Sequence, residues 1–190
     1  MKRILLLLGI LNVFFCRAQQ RMLPLNKTNS DSIQADDYLK DLDNDFKPFI
    51  SNWKANYDDK LIMLRIIKVP KKVFKEGFGK NERKYFKDAL IIQHVIMDKK
   101  GNIIEDYFSK NLDVYKIISN TYNKGLKSAS FYYSGANCGV GSGSINLKMI
   151  DSNHFIWSYN GICGIWGGCP KDTDLTVNIP TEKDVIFTKQ

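Results

Sequence analysis

From Ser144 to Ile150 the side chains alternate, with Ile145, Leu147 and Met149 on one face and Ser144, Asn146 and Lys148 on the other. A period of two belongs to a half-buried strand and cannot keep a helix face apolar. His154 to Tyr159 repeats the pattern, placing Phe155, Trp157 and Tyr159 together. Two longer runs, Leu61–Val69 (LIMLRIIKV) and Tyr85–Met97 (YFKDALIIQHVIM), are rich in β-branched residues and apolar on both faces, the pattern of strands covered on both sides. Short turns separate the runs. Tyr57-Asp58-Asp59-Lys60 is a tight turn after a strand around Trp53. Asp98–Asn102 is a hairpin loop, with Gly101 suited to a left-handed position before Ile103–Phe108 returns. Leu175, Val177 and Ile179, then Val185 and Phe187, supply two closing strands. The pattern holds about nine or ten strands and no repeated strand–helix unit. It predicts an all-β fold, an antiparallel up-and-down barrel or sandwich. Closure of the barrel would remove the edges an open sheet exposes.

The first residues follow a different logic. Met1-Lys2-Arg3 is a basic start, and Ile4 to Phe15 is an apolar run of about a dozen residues, too short for a bilayer core of ~30 Å. This reads as a secretory signal peptide, residues 1–18, cleaved after Ala18. Lipidation at Cys16 is the weaker alternative, because Phe15 is bulky where a small residue is required. Cleavage removes Lys2, Arg3 and Arg17 and no acid, so the formal charge falls from +8 to +5. No later run reaches the ~18 apolar residues of a membrane span, so the expected product is exported, to the periplasm or beyond, and monomeric. Residues 19–45 read as a flexible lead-in followed by a short acidic helix. Its weak stripe is Ile33, Leu39, Leu42 and Phe46, with Ser30 or Ser32 as cap. Residues 46–190 form a single barrel domain.

Tyr38-Leu39-Lys40-Asp41 and Phe49–Tyr57 (FISNWKANY) resemble the opening of an uncharacterised family of small exported flavobacterial proteins. The similarity continues through Tyr85-Phe86-Lys87-Asp88, the Asp98–Asn102 hairpin with Ile103-Ile104-Glu105, Asn178-Ile179-Pro180-Thr181 and Phe187-Thr188-Lys189. The resemblance implies a lipocalin-like β-domain and carries no activity with it. It casts Trp53 as a packing residue at the barrel base. Lipocalins place Gly two positions before that Trp, whereas Ser51 stands here.

Catalytic and metal motifs are thin. Asp41-Leu42-Asp43-Asn44-Asp45 resembles half a calcium loop, but Phe46 and Asn52 occupy the positions that need Gly and a chelating Glu. Cys138, Cys163 and Cys169 with His154 lack the close pair of a structural zinc site, so one disulfide and a spare thiol are expected. The pairing is open; Cys163–Cys169 and Cys138–Cys163 are the favoured choices. Gly139–Gly143 runs into a strand, not a helix, and reads as a turn or bulge rather than a phosphate cradle. A thiol enzyme using Cys138 is the remote alternative. No enzyme activity and no cofactor are expected.

The stretch from Arg65 to Lys87 carries more information. Lys68, Lys71, Lys72, Lys75, Lys80, Arg83, Lys84 and Lys87 face only Glu76 and Glu82, with Phe74 and Phe78 among them. Pro70, Gly77 and Gly79 cast it as a long basic loop or hairpin tip. An exported protein is not expected to meet nucleic acid. The expected function is a non-catalytic binding or surface-associated module, its partner a small apolar ligand or an anionic envelope component. The alternative is an interaction protein, a peptidase inhibitor or envelope-binding factor, acting through the basic loop.

Overall fold

The computed structural model describes residues 20–162, 168–182 and 184–190, and these form an all-β chain. The strands are β1 (Met22–Pro24), β2 (Tyr38–Lys40), β3 (Ser51–Tyr57), β4 (Lys60–Glu76), β5 (Arg83–Met97), β6 (Ile103–Asp106), β7 (Ile117–Asn123), β8 (Ser128–Tyr133), β9 (Gly143–Met149), β10 (His154–Gly161) and β11 (Val185–Lys189). Eight of them close an antiparallel barrel in the order β5-β4-β3-β11-β10-β9-β8-β7, and β7 returns to β5. β6 lies beside the C-terminal end of β5, while β1 and β2 add in parallel beside its N-terminal end.

The local chemistry matches the turns. Asp58 and Asp59 both take positive φ, 46° and 62°, as a two-residue turn that follows the strand twist requires. Gly101, at φ 83°, closes the β5–β6 loop with its N–H on the Asp98 carbonyl. Residues 175–179 form no strand. Ile179 is nonetheless buried, and the Pro180 carbonyl accepts from Trp157 Nε1 at 3.0 Å.

Aromatic rings fill the barrel interior. Trp53, Phe155, Trp157 and Phe187 are fully buried. Phe155 lies 4.7 Å from Trp53 and 5.2 Å from Phe187 between ring centroids, and Trp157 lies 5.6 Å from Phe187. Trp53 Nε1 donates to the Phe49 carbonyl at 2.9 Å, and Phe46 and Phe49 belong to the same core. A ligand inside the barrel would have to displace these rings.

The expected acidic helix does not form. Asn29 caps a single 3-10 turn, Ser30–Ser32, and the chain then extends into β2. The carboxylates that suggested a solvated helix face bind backbone instead. Asp37 accepts from the Gln34 N–H at 2.7 Å, and Asp41 accepts from the N–H groups of Asp45 and Phe46. Such local bonds offer the backbone an alternative to helix.

The cysteines also pair differently from either favoured choice. Cys138 is bonded to Cys169, 31 residues away, and Cys163 lies outside the described residues. The bridge ties the turn before β9 to the segment after β10. Replacing both cysteines with serine is expected to cost about 2–4 kcal/mol, because the unfolded chain regains the entropy of a long loop. A urea midpoint unchanged by the double substitution would show that this link contributes nothing.

Candidate functional site

Of the two readings of the basic stretch, hairpin tip holds and long loop does not. The stretch is the outer half of a hairpin built from β4 and β5. Up to the Val69–Ala89 rung the two strands are barrel staves. The register then shifts at Pro70 and Lys71. Pro70 has no N–H for a ladder bond, and Lys71 sits at φ 52° with its N–H on Asp88 Oδ1 at 3.2 Å. Beyond this bulge the pair runs on for five rungs, from Lys72–Lys87 to Glu76–Arg83, and projects past the barrel end. The tip, residues 77–82, turns through a one-turn 3-10 helix, Gly79–Asn81.

One face of the projection is open and basic. Lys71 Nζ stands 5.2 Å over the Phe86 ring and 5.9 Å over Tyr38, and Lys84 Nζ stands 5.3 Å over Phe86. The aromatic quadrupole holds these ammonium groups at the surface without neutralising them. Val73 is 48% exposed between them, and Phe78 at the tip is 94% exposed beside Lys80. Lys75 pairs with Glu82 at 2.9 Å.

The opposite face is covered. Phe74 stacks on Tyr85 at 6.0 Å, and Lys72 Nζ lies 4.5 Å over Tyr115. Arg83 pins the segment 30–33 by donating to the Ser30 and Ile33 carbonyls, and also pairs with Glu76. Of the basic residues picked out from sequence, Lys71, Lys80 and Lys84 therefore stand on the open face or tip, while Lys72, Lys75 and Arg83 are engaged.

Lys68 belongs to neither face. It reaches the barrel end, where its Nζ lies 3.0 Å from Asp41 and 3.1 Å from Asp88, both buried carboxylates. Asp88 also accepts from the Tyr38 hydroxyl at 2.5 Å and the Asp41 N–H at 3.1 Å. Burial raises the Asp88 carboxyl, yet the bonds from Tyr38, the Asp41 N–H, Lys68 and the Lys71 N–H outweigh it and hold the group below the usual carboxylate range. Tyr38 is pushed up to about 12 by burial and by Asp88. This network locks the N-terminal arm and the bulge to the barrel.

Asp88 was not singled out from sequence, and Lys87 was read only as part of the basic run. Asp88 and Lys87 sit in consecutive positions where a basic strand enters the apolar run Ala89–Ile92, and both are buried. Their nearness to that run was the available signal. Cys138 has its sulfur in the bridge to Cys169. His94 is buried with Nε2 3.4 Å from Glu105 Oε2, and His154 pairs with Asp151 at 2.9 Å. The described residues hold no group of three His, Cys, Asp or Glu placed to bind a metal ion, and no helix among them is long and apolar enough to cross a membrane.

The whole chain, residues 1–190, matches the model of a family of unknown function, DUF6705. No curated protein and no solved structure matches it.

Proposed function

The chain belongs to the DUF6705 family, whose function is unknown, and we propose from its own geometry that it is an exported, non-catalytic barrel that docks on an anionic lipid surface through the open face of the β4–β5 hairpin. The observation that carries this reading is Phe78, 94% exposed at the tip of a basic projection. A phenyl ring held in water is unfavourable, whereas the headgroup boundary of a bilayer accepts it. Lys71, Lys80 and Lys84 surround that route with positive charge, and each lysine near an anionic leaflet contributes about 1 kcal/mol. A soluble polyanion would use the lysines but leave Phe78 without a role. The filled barrel interior supports an outer surface rather than a lumenal ligand as the working part. The sulfur of Cys138, held in a bridge, supports a structural rather than a nucleophilic role.

Flotation with phosphatidylglycerol-containing vesicles tests the reading. The wild-type chain should float with them, stay behind with phosphatidylcholine alone, and be released by high salt. Lys71→Glu with Lys84→Glu should abolish flotation, and Phe78→Ser should weaken it several-fold at fixed charge. Flotation that ignores Phe78→Ser would replace lipid docking with plain polyanion binding. No flotation of the wild type would end it.

A further inference from the structure

The barrel has a seam. Among the described residues β5 and β7 pair only at Ile91–Ile118 and Ile92–Ile117. Below these rungs β5 turns to β2 instead, pairing Leu39 with Lys87, while β7 bulges between Ser119 and Thr121. The two staves part. A cavity of about 340 Å³ lies there, between the arm that precedes β3, the covered face of the hairpin and the lower end of β7.

Lys87 stands in its wall, only 8% exposed. Its Nζ donates to the Asn120 carbonyl at 3.1 Å, across the parting between β5 and β7, and lies 4.3 Å over the Phe74 ring. Among the described residues that carbonyl is its one hydrogen-bond partner, and no carboxylate is within ion-pair distance. A buried ammonium ordinarily has an anion beside it. Here the acceptor is neutral and space adjoins. Leu25, Leu39, Phe46 and Tyr122 give that space an apolar wall.

We propose that the seam cavity binds a small organic carboxylate, its head group on Lys87 and its body against Leu25, Leu39, Phe46 and Tyr122. The carboxylate supplies the counter-charge that the Asn120 carbonyl lacks, so an ion pair beside a low-dielectric wall adds to a hydrogen bond the ammonium already makes with a neutral acceptor. The volume suits a ligand smaller than a typical drug. Burial lowers the Lys87 ammonium to about 8, against a smaller upward pull from Glu76, and this agrees with an unmatched cation. The charged and titratable groups on this side are Lys72 and Glu76 from β4, Arg83 (paired with Glu76) and Tyr85 from β5, and Tyr122 from β7. Burial pushes both tyrosines upward, so they stay neutral while Lys87 titrates. The arm residues that line the cavity are uncharged.

The test is a calorimetric titration of the purified chain with hexanoate and with hexanamide, its neutral counterpart. Hexanoate should bind at least about tenfold more tightly than the amide. Lys87→Met should erase that preference, and Lys87→Arg should keep it. An unchanged melting temperature of Lys87→Met in the absence of ligand shows that the fold is intact. The acid requires the ammonium form of Lys87 and its own carboxylate form, so its affinity should be level between about pH 6 and pH 8 and fall about tenfold per unit above pH 8, with a proton taken up on binding there. Equal binding of acid and amide, a preference that survives Lys87→Met, or no hexanoate binding at about 10 mM would each overturn the proposal. An aldehyde fixed to Lys87 by borohydride while hexanoate fails to bind would overturn it in favour of carbonyl capture.

Discussion

Lys68→Met is expected to destabilise the chain by about 3 kcal/mol or more, the cost of leaving buried charge without its partner. Lys68 is the cation shared by Asp41 and Asp88, whose side chains are 1% and 2% exposed. Asp41 keeps its backbone donors and Asp88 keeps its backbone and Tyr38 donors, so the fold should survive in a weakened form. The effect must depend on pH, and the sign follows from the direction of the shifts. Asp88 is held below its unfolded value, so its contribution is present above about pH 4 and is lost as the pH falls through the lower folded value. Lys68 is the converse case. Burial lowers it, but the bonds to Asp41 and Asp88 outweigh burial and raise it, so its contribution lasts until the pH rises through that raised value. The gap between wild type and Lys68→Met should therefore be widest at neutral pH and shrink below pH 4. Urea midpoints at pH 7 and pH 3 measure it. A gap that is the same at both values would show that lost packing, not lost charge pairing, is responsible.

Trp53→Ala should cost about 3–5 kcal/mol and leave a cavity that the barrel cannot close. Trp53 is fully buried, touches Phe155 and carries Lys189 Nζ 5.6 Å above its ring. Its Nε1 is also the donor to the Phe49 carbonyl, which becomes an unpaired buried acceptor when the indole is lost. Trp53→Phe separates the two terms, since it keeps most of the volume and removes only the donor. It should fall between wild type and Trp53→Ala in chemical denaturation, and near-ultraviolet dichroism should stay native-like. A loss below about 1 kcal/mol for Trp53→Ala would mean that the barrel end is held by Phe46 and Phe49 without it.

What could be read from the sequence divides by the kind of signal. Ser144–Ile150 and His154–Tyr159 announced β9 and β10 almost to the residue, because one buried face enforces a period of two. LIMLRIIKV announced the half of β4 inside the barrel, and YFKDALIIQHVIM announced all of β5 but its first two residues. The outer half of β4 was missed, with Arg83 and Lys84 of β5, since lysine, proline and glycine are turn and surface signals. What keeps them extended is cross-strand pairing, Phe74 on Tyr85 and ammonium groups over rings, and composition does not reveal it. The acidic segment misled for a related reason. Ile33, Leu39 and Phe46 are buried as a helical stripe would be, but Leu42 is 51% exposed and Asp37 and Asp41 spend their oxygens on backbone N–H groups. The lysines of the site were legible as a basic run. That Lys68 and Lys87 turn inward depends on the arm, the bulge and the seam, which join residues far apart in the chain.

The rigid projection beyond the bulge has a further consequence. Five rungs at about 3.4 Å each put the tip roughly 17 Å beyond the last barrel rung. β4 and β5 both continue from that tip through the bulge into the wall, and Asp88 braces the bulge with its bonds from Lys68, Tyr38 and the Lys71 N–H. The Cys138–Cys169 loops follow the opposite ends of the staves, next to the Gly143–Gly161 rung. The molecule thus has a spike and a crown with a fixed axis between them. Whatever holds the spike also sets the heading and height of the crown, as a pin sets the bearing of its head.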